Sequence, residues 1–231
     1  MKRYTHLFFD LDHTLWDFEA NSRATLAELH AELRLDDAGV EHVHEFIEAY
    51  EEVNAGLWRQ YEAGRIEKAV LRVLRFRNTL LRFGVRNDRL STTLGQAYIE
   101  RCPQRTALFP GVLPLLEAVR RTHRVHIITN GFEEVQHRKI TGSGLAPYID
   151  VLLTSEQAGA AKPDPRIFEL ALRKAGATAA ESLMVGDNAD NDIAGARGVG
   201  MDQAHFVPDG AGDPAATHRF THFDELRQLL A

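Results

Sequence analysis

Two aspartates one residue apart, Asp10 and Asp12, stand at the end of the apolar run Leu7, Phe8, Phe9 in the string LFFDLDHTL. Side chains two residues apart on an extended chain project to the same side, so this spacing holds two anionic groups close together. Such a pair is unfavourable unless a cation lies between the carboxylates or one of them carries a proton. Either solution is useful chemistry, a metal site or an acid beside a base. The same residues also fit a polar strand end that runs into a Thr-containing turn, so the pair alone does not decide.

Further polar groups recur in the same setting. The apolar run Val125 to Ile128 ends in Thr129, Asn130 and Gly131, Val151 to Leu153 ends in Thr154 and Ser155, and Ser182 to Val185 ends in GDNADND, with Asp187 and Asp192. The loop GAAKPDP carries Lys162. If these runs are parallel strands, all of these groups meet at one sheet edge, the edge at which open α/β sheets bind ligands. Four carboxylates against one ammonium make a net negative pocket. It calls for a divalent cation with hard oxygen ligands, Mg²⁺ being the usual choice where phosphate is also bound. Lys162 and the Thr129 hydroxyl suit the remaining oxygens of a phosphoryl group.

The elements that must position these residues follow from periodicity. Leu7 to Phe9 reads as a parallel strand covered on both faces, because it is apolar without alternation. Helical stripes then follow: Leu26, Leu29, Leu33; Val43, Phe46, Ile47, Tyr50, Val53, Leu57, Trp58, Tyr61; Ile66, Val70, Val73, Leu74, Leu80, Leu81; and Leu90, Leu94, Ala97, Tyr98. They predict a small helical bundle. From Phe109 strand and helix alternate: a helix from Pro110 to Arg121, another over 133–141, one opened by Asp164 and Pro165 and closed by Gly176, a strand near 205–207 and a terminal helix over 223–230. This alternation implies a parallel sheet with right-handed crossovers. The expected division is a sheet domain of residues 1–15 and 105–231, interrupted by a helical domain of residues 16–104.

Composition excludes several classes. A chain of 231 residues, 44% hydrophobic and 26% charged, is ordinary for a soluble globular protein. Its net charge of −6 offers no footprint for nucleic acid or an anionic membrane surface. Cys102 is the single cysteine, which excludes an internal disulfide. The eleven histidines show no HExxH and no helical pairing suited to a metal. No apolar stretch is long enough to span a bilayer, and MKRYTH runs into a strand without a signal-peptide pattern, so a cytoplasmic location is expected. Monomer and homodimer account equally well for the periodicity.

In order along the chain, DLDHT, TNG, the lysine of KPDP and GDNADND resemble the four motifs of the haloacid dehalogenase (HAD) superfamily of phosphohydrolases. The resemblance covers the whole sheet domain. It implies an α/β fold, a Rossmann-like parallel sheet core with an inserted α-helical cap of the C1 type that closes over the active site. It further implies Asp10 as nucleophile, Asp12 as general acid and base, and Thr129 and Lys162 as phosphate-binding groups. Mg²⁺ would be held by Asp10, Asp12 and Asp187, with Asp192 supporting the metal or Lys162. An acid at position 12 is not needed by the dehalogenase branch, which lacks an Asp there.

The longer string DLDHTLWDFEANS and the stretch WRQYEAGRIEKAVLRVLRF are similar to a branch that acts as pyrimidine 5′-nucleotidases, including house-cleaning enzymes. The substrate expected from that similarity is a small phosphomonoester, a pyrimidine nucleoside monophosphate. A sugar phosphate or phosphoglycolate is the alternative, since the motifs specify phosphoryl transfer and not the leaving group. A non-catalytic binding protein would have no need of Asp10 and Asp12 together with Lys162 and Asp187. Residues expected to face the substrate are His13, Trp16 and Phe18 after the first motif, with Asn130, Gly131 and Phe132 after the second. An aromatic side chain there would either stack on a base or seal the hinge between domains.

Overall fold

A computed structural model describes residues 4–210 and 212–231. The chain forms two compact units, one from residues up to Phe18 together with those from Thr106 onward, the other Glu19–Arg105.

The hub of the first unit is β1 (His6–Phe9). It pairs in parallel with β2 (Arg124–Thr129) on one side and β4 (Ser182–Gly186) on the other. With β3 (Val151–Thr154), β5 (Asp202–Phe206) and β6 (His218–Phe220) this gives a six-stranded, fully parallel sheet of order β3-β2-β1-β4-β5-β6. The order reverses at β1, and the crevice beyond the carboxyl ends of strands at such a switch point is where ligands bind. Phe9 stands level with Ile127 and Val185, which sets Asp10 one residue beyond the paired strands.

Both faces of β1 are covered, as its continuous apolar run requires. Phe8 packs with Ile128, Leu153 and Met184 against Ile167, Phe168 and Ala171 of α8 (Pro165–Ala175). Leu7 and Phe9, of opposite parity, are also fully buried. Each such side chain contributes about 1.5–3 kcal/mol through burial. The helix α8 starts and stops where local chemistry directs. The Asp164 carboxylate accepts the Arg166 N–H at 2.9 Å, Pro165 occupies the first turn, and Gly176 takes φ 65° at the end.

The remaining helices of this unit are α5 (Val112–Val119), α6 (Glu133–Gly142), the one-turn α7 (Ser155–Ala158), α9 (Gly195–Gly198), which continues a π-helical turn over Ala189–Ala194, and α10 (Phe223–Leu230). The fifth helix is shorter at both ends than the sequence predicts, and β5 begins three residues before the expected 205–207 strand and ends one residue before it. No expectation covered β6, whose sequence HRF has no apolar run.

The second unit contains the helices α1 (Phe18–Glu32, its first residue belonging to the other unit), α2 (Val43–Glu62), α3 (Lys68–Arg82) and α4 (Asp88–Arg101). Its centre is a triangle of rings from three helices, Tyr50, Phe76 and Tyr98, with centroids 5.0–5.5 Å apart. The guanidinium of buried Arg75 lies 4.9 Å from the Tyr98 ring centre. The expected stripe on α3 holds only in part, at buried Leu80 and half-buried Leu74. Val70, Val73 and Leu81 are exposed, and the buried face is Leu71, Arg75, Phe76, Thr79 and Leu80. Among the described residues no helix is long and apolar enough to cross a membrane.

One buried group of the sheet makes stability depend on pH. His126 on β2 stacks on His6 with ring centres 5.3 Å apart, and its Nδ1 finds no partner among the described residues. Burial, then the neighbouring His6 and Arg124, push its pKa from 6.5 down to about 4. A depressed histidine favours the fold fully above its unfolded pKa and loses that contribution as pH falls towards the folded value. Between pH 6.5 and 4 the wild-type protein is therefore expected to lose about 3 kcal/mol more unfolding free energy than His126→Gln. Denaturant melts of both proteins across that range check this, and parallel curves would contradict it.

Candidate active site

Beyond β1 the chain turns back on itself: the N–H groups of Leu15 and Trp16 both donate to the Leu11 carbonyl, and His13 adopts φ 62°. This tight loop separates the surroundings of the two aspartates. Asp10 stays over the strand ends, anchored by its N–H to the Val185 carbonyl at 2.9 Å.

There it meets Lys162, which is almost wholly buried. The ammonium donates to Asp10 Oδ1 at 2.6 Å and to Asp192 Oδ1 at 2.5 Å. Lys162 is placed by its own peptide: its N–H donates to Asn130 Oδ1 at 2.8 Å, and its carbonyl accepts from Asn130 Nδ2 at 3.0 Å. Asn130, expected to face substrate, thus brackets the Lys162 backbone. Asp192 Oδ2 accepts the Asn188 N–H at 3.1 Å. It lies so close to the chain that a Cβ on Gly186 would stand 2.2 Å from that oxygen, which explains the glycine at the end of β4.

Asp187 is fixed by Thr14, whose hydroxyl donates to Asp187 Oδ1 at 3.0 Å and accepts the Asp187 N–H at 3.1 Å. Its carbonyl accepts from His205 Nε2 at 2.8 Å, while His205 Nδ1 accepts the Asp213 N–H. Asp10, Asp187 and Asp192 each offer an oxygen within 4.8 Å of the others, and among the described residues no other such group of potential metal ligands occurs. Burial raises the pKa of Asp10 well above the carboxylate range, and Lys162 only partly opposes this, with Asp192 and Asp187 raising it further. Burial and then Asp192 raise that of Asp187. Three clustered carboxylates with one ammonium lack positive charge, and their donors are hard oxygens. The donor set fits a divalent cation such as Mg²⁺. With Asp192 committed to Lys162 and Asn188, the ligands with the most freedom are Asp10, whose Oδ2 accepts no donor among the described residues, and Asp187.

The Asp12 side chain, expected among the metal ligands, stands apart from this carboxylate group. Its Oδ1 accepts from Lys139 Nζ at 2.5 Å and its Oδ2 from Gln136 Nε2 at 2.8 Å. Burial acts to raise its pKa, but Lys139 and Gln136 outweigh it and hold the carboxylate ionised. Gln136 and Lys139 are one helical turn apart on α6 and were not singled out in the sequence. Their spacing of three puts both on one face of the helix that follows TNG, which was the signal available.

The same Gln136 Nε2 donates to Thr129 Oγ1 at 2.7 Å, and the Gly131 N–H donates to that oxygen at 3.1 Å. Both acceptor positions of the hydroxyl are filled, so its proton points elsewhere. Gly131 is required by this close approach, since a Cβ there would lie 2.1 Å from Gln136 Nε2. Of the other residues expected at the substrate, Trp16 has no exposed surface and Phe132 is buried, so neither ring offers a face for stacking. Trp16 instead lies under the Lys139 ammonium, 4.3 Å from its ring centre. His13 is exposed and half-buried Phe18 packs beside it at 4.8 Å between ring centres. Thr154, another strand-end residue, caps α7 by accepting the Gln157 N–H.

Residues 4–200 match the family model described as haloacid dehalogenase-like hydrolase. The chain is 34% identical to the pyrimidine 5′-nucleotidase YjjG of Escherichia coli over 99% of its own length and 98% of that protein's. It is 32% identical to the pyrimidine 5′-nucleotidase PynA of Streptococcus pneumoniae, over 89% and 84% of the two lengths. The fold matches that of the putative HAD-hydrolase YfnB of Bacillus subtilis, solved bound to magnesium, with a TM-score of 0.88 at 27% identity over 99% of both chains. On the family match across most of its length, and with two relatives above 30% identity over most of theirs, this chain belongs to the haloacid dehalogenase-like hydrolases.

Proposed function

We propose that the protein is a Mg²⁺-dependent phosphomonoesterase acting on pyrimidine nucleoside 5′-monophosphates, with Asp10 as nucleophile and Asp12 as acid and base. The observation that carries this reading is the separation of the two aspartates: Asp10 lies against Lys162 with an oxygen free, and Asp12 is held apart by Lys139 and Gln136. A nucleophile and an acid–base group need different surroundings, and here they have them. The nucleotide assignment rests on the likeness to YjjG and PynA over most of the chain.

In this mechanism Asp10 attacks phosphorus in line, forming an aspartyl-phosphate as the bond from phosphorus to the ester oxygen breaks. The Lys162 ammonium and the free proton of Thr129 hold oxygens of the transferring group. Asp12, ionised before substrate arrives, takes up a proton as the phosphate ester binds and gives it to the departing alkoxide, which leaves as the nucleoside. The Asp12 carboxylate then takes a proton from water, whose oxygen bonds to phosphorus and breaks the acyl–phosphate bond, freeing phosphate and Asp10. Asp10 and Asp187 would hold Mg²⁺, with Asp192 behind them, and the ion supplies positive charge that lets a phosphoryl dianion enter among carboxylates. The helical unit of residues 19–105 serves in this reading as the cap that selects substrate.

The test is phosphate release from a panel of nucleoside 5′-monophosphates, sugar phosphates and phosphoglycolate, with Mg²⁺ and with EDTA. We expect release that EDTA abolishes and Mg²⁺ restores, fastest with UMP, dUMP or dTMP. Preference for a sugar phosphate would keep the chemistry and overturn the substrate. No release from any compound by folded protein would overturn both.

A further inference from the structure

Lys139 and Gln136 occupy both oxygens of Asp12 from one face of α6, and the Lys139 side chain is 4% exposed. Its ammonium lies 4.3 Å from the ring centre of fully buried Trp16 and 5.4 Å from that of Phe18. An aromatic wall attracts a cation by its π face while excluding water from it. The ammonium therefore has one strong partner, and that partner is Asp12. Gln136 fixes the second oxygen and cannot swing away, because its amide is also bonded to Thr129 and packed against Gly131. A carboxylate on a mobile loop would rotate about its last bond; this one is held in a single plane.

We propose that Lys139, seated on Trp16, and Gln136 are positioning residues for Asp12, setting the carboxyl orientation in which it transfers a proton to the leaving oxygen. The inference rests on the acid–base role given to Asp12 above. Neither residue touches the phosphoryl group in this assignment. They act through Asp12 on both of its proton transfers, and kcat/KM, which runs only to release of the first product, reads the step in which the Asp12 proton passes to the alkoxide as the ester bond breaks. That step depends on the leaving group: an alkoxide needs the proton, whereas 4-nitrophenolate departs without it.

The experiment compares kcat/KM for a nucleoside 5′-monophosphate and for 4-nitrophenyl phosphate in the wild type, Lys139→Met, Lys139→Arg and Asp12→Asn. Met keeps the contact with Trp16 and removes the charge. For Lys139→Met we expect a loss of about 100-fold on the nucleotide and less than about 10-fold on the aryl ester. Arg, which can still pair with Asp12, is expected to recover most of the nucleotide activity. Equal losses on both substrates, or none, would overturn the proposal. Asp12→Asn separates the two levels of inference. If it discriminates between the leaving groups and Lys139→Met does not, only the positioning role fails; if it does not discriminate, the acid role of Asp12 fails first. Should Lys139→Met not fold, Lys139→Gln, which likewise removes the charge, is read on the same scale with the same outcomes.

Discussion

Asp10→Asn should abolish phosphate release, by about 10⁴-fold or more, while the melting temperature stays the same or rises. The first half follows from removing the nucleophile of a covalent mechanism, a loss that binding groups do not make up. The second follows from what the carboxylate endures in the fold. Burial, opposed only in part by Lys162, raises its pKa, so the folded state favours the protonated form. A group whose folded pKa is raised costs stability once pH passes the unfolded value, and a neutral isosteric amide removes that cost. Lys162 keeps Asp192 as its partner in the variant. Phosphate release and thermal melts at neutral pH check both halves together. Retained turnover would move the nucleophile elsewhere.

Lys162→Met is expected to damage activity and stability at once. The ammonium is bonded to two buried carboxylates, Asp10 and Asp192. Removing one partner of a buried ionic group costs about 3–5 kcal/mol, because the remaining charges are left uncompensated. The deficit should shrink as pH falls, since protonated carboxyls no longer need the cation. Turnover should fall by about 10²–10³-fold, the scale set by loss of one charge-stabilising donor. Denaturant melts at pH 7 and at acid pH, beside kinetics at saturating substrate, test these values. An unchanged melt would mean that the two carboxylates share a proton without the lysine.

Asp10 was legible in the sequence for a physical reason. A parallel strand covered on both faces must be an unbroken apolar run, so the polar residue that ends it is conspicuous. Asp10, Thr129 and Asp187 all stand out in this way, and the sheet brings them to one edge. The residues that set their orientation lie in α6, where QHRK reads as an ordinary polar helix surface. Nothing in hydropathy separates buried Gln136 and Lys139 from exposed His137 and Arg138. Trp16 misled for the opposite reason: a large ring next to a motif suggests a ligand, and its face is used by Lys139. On α3 the apolar letters Val70 and Val73 drew attention to the exposed side, while the buried side includes Arg75 and Thr79, residues that any hydropathy scale assigns to water.

The Thr129 hydroxyl carries a thermodynamic consequence. A free hydroxyl is a rotor, and fixing it on a ligand gives up entropy at the moment of binding. In this protein the rotor is already stopped, because Gln136 and the Gly131 N–H occupy the oxygen before any phosphate arrives. The proton waits in one direction. Association with a phosphoryl oxygen then proceeds with that ordering complete, and the free energy of the bond is available to hold the substrate rather than to organise the site.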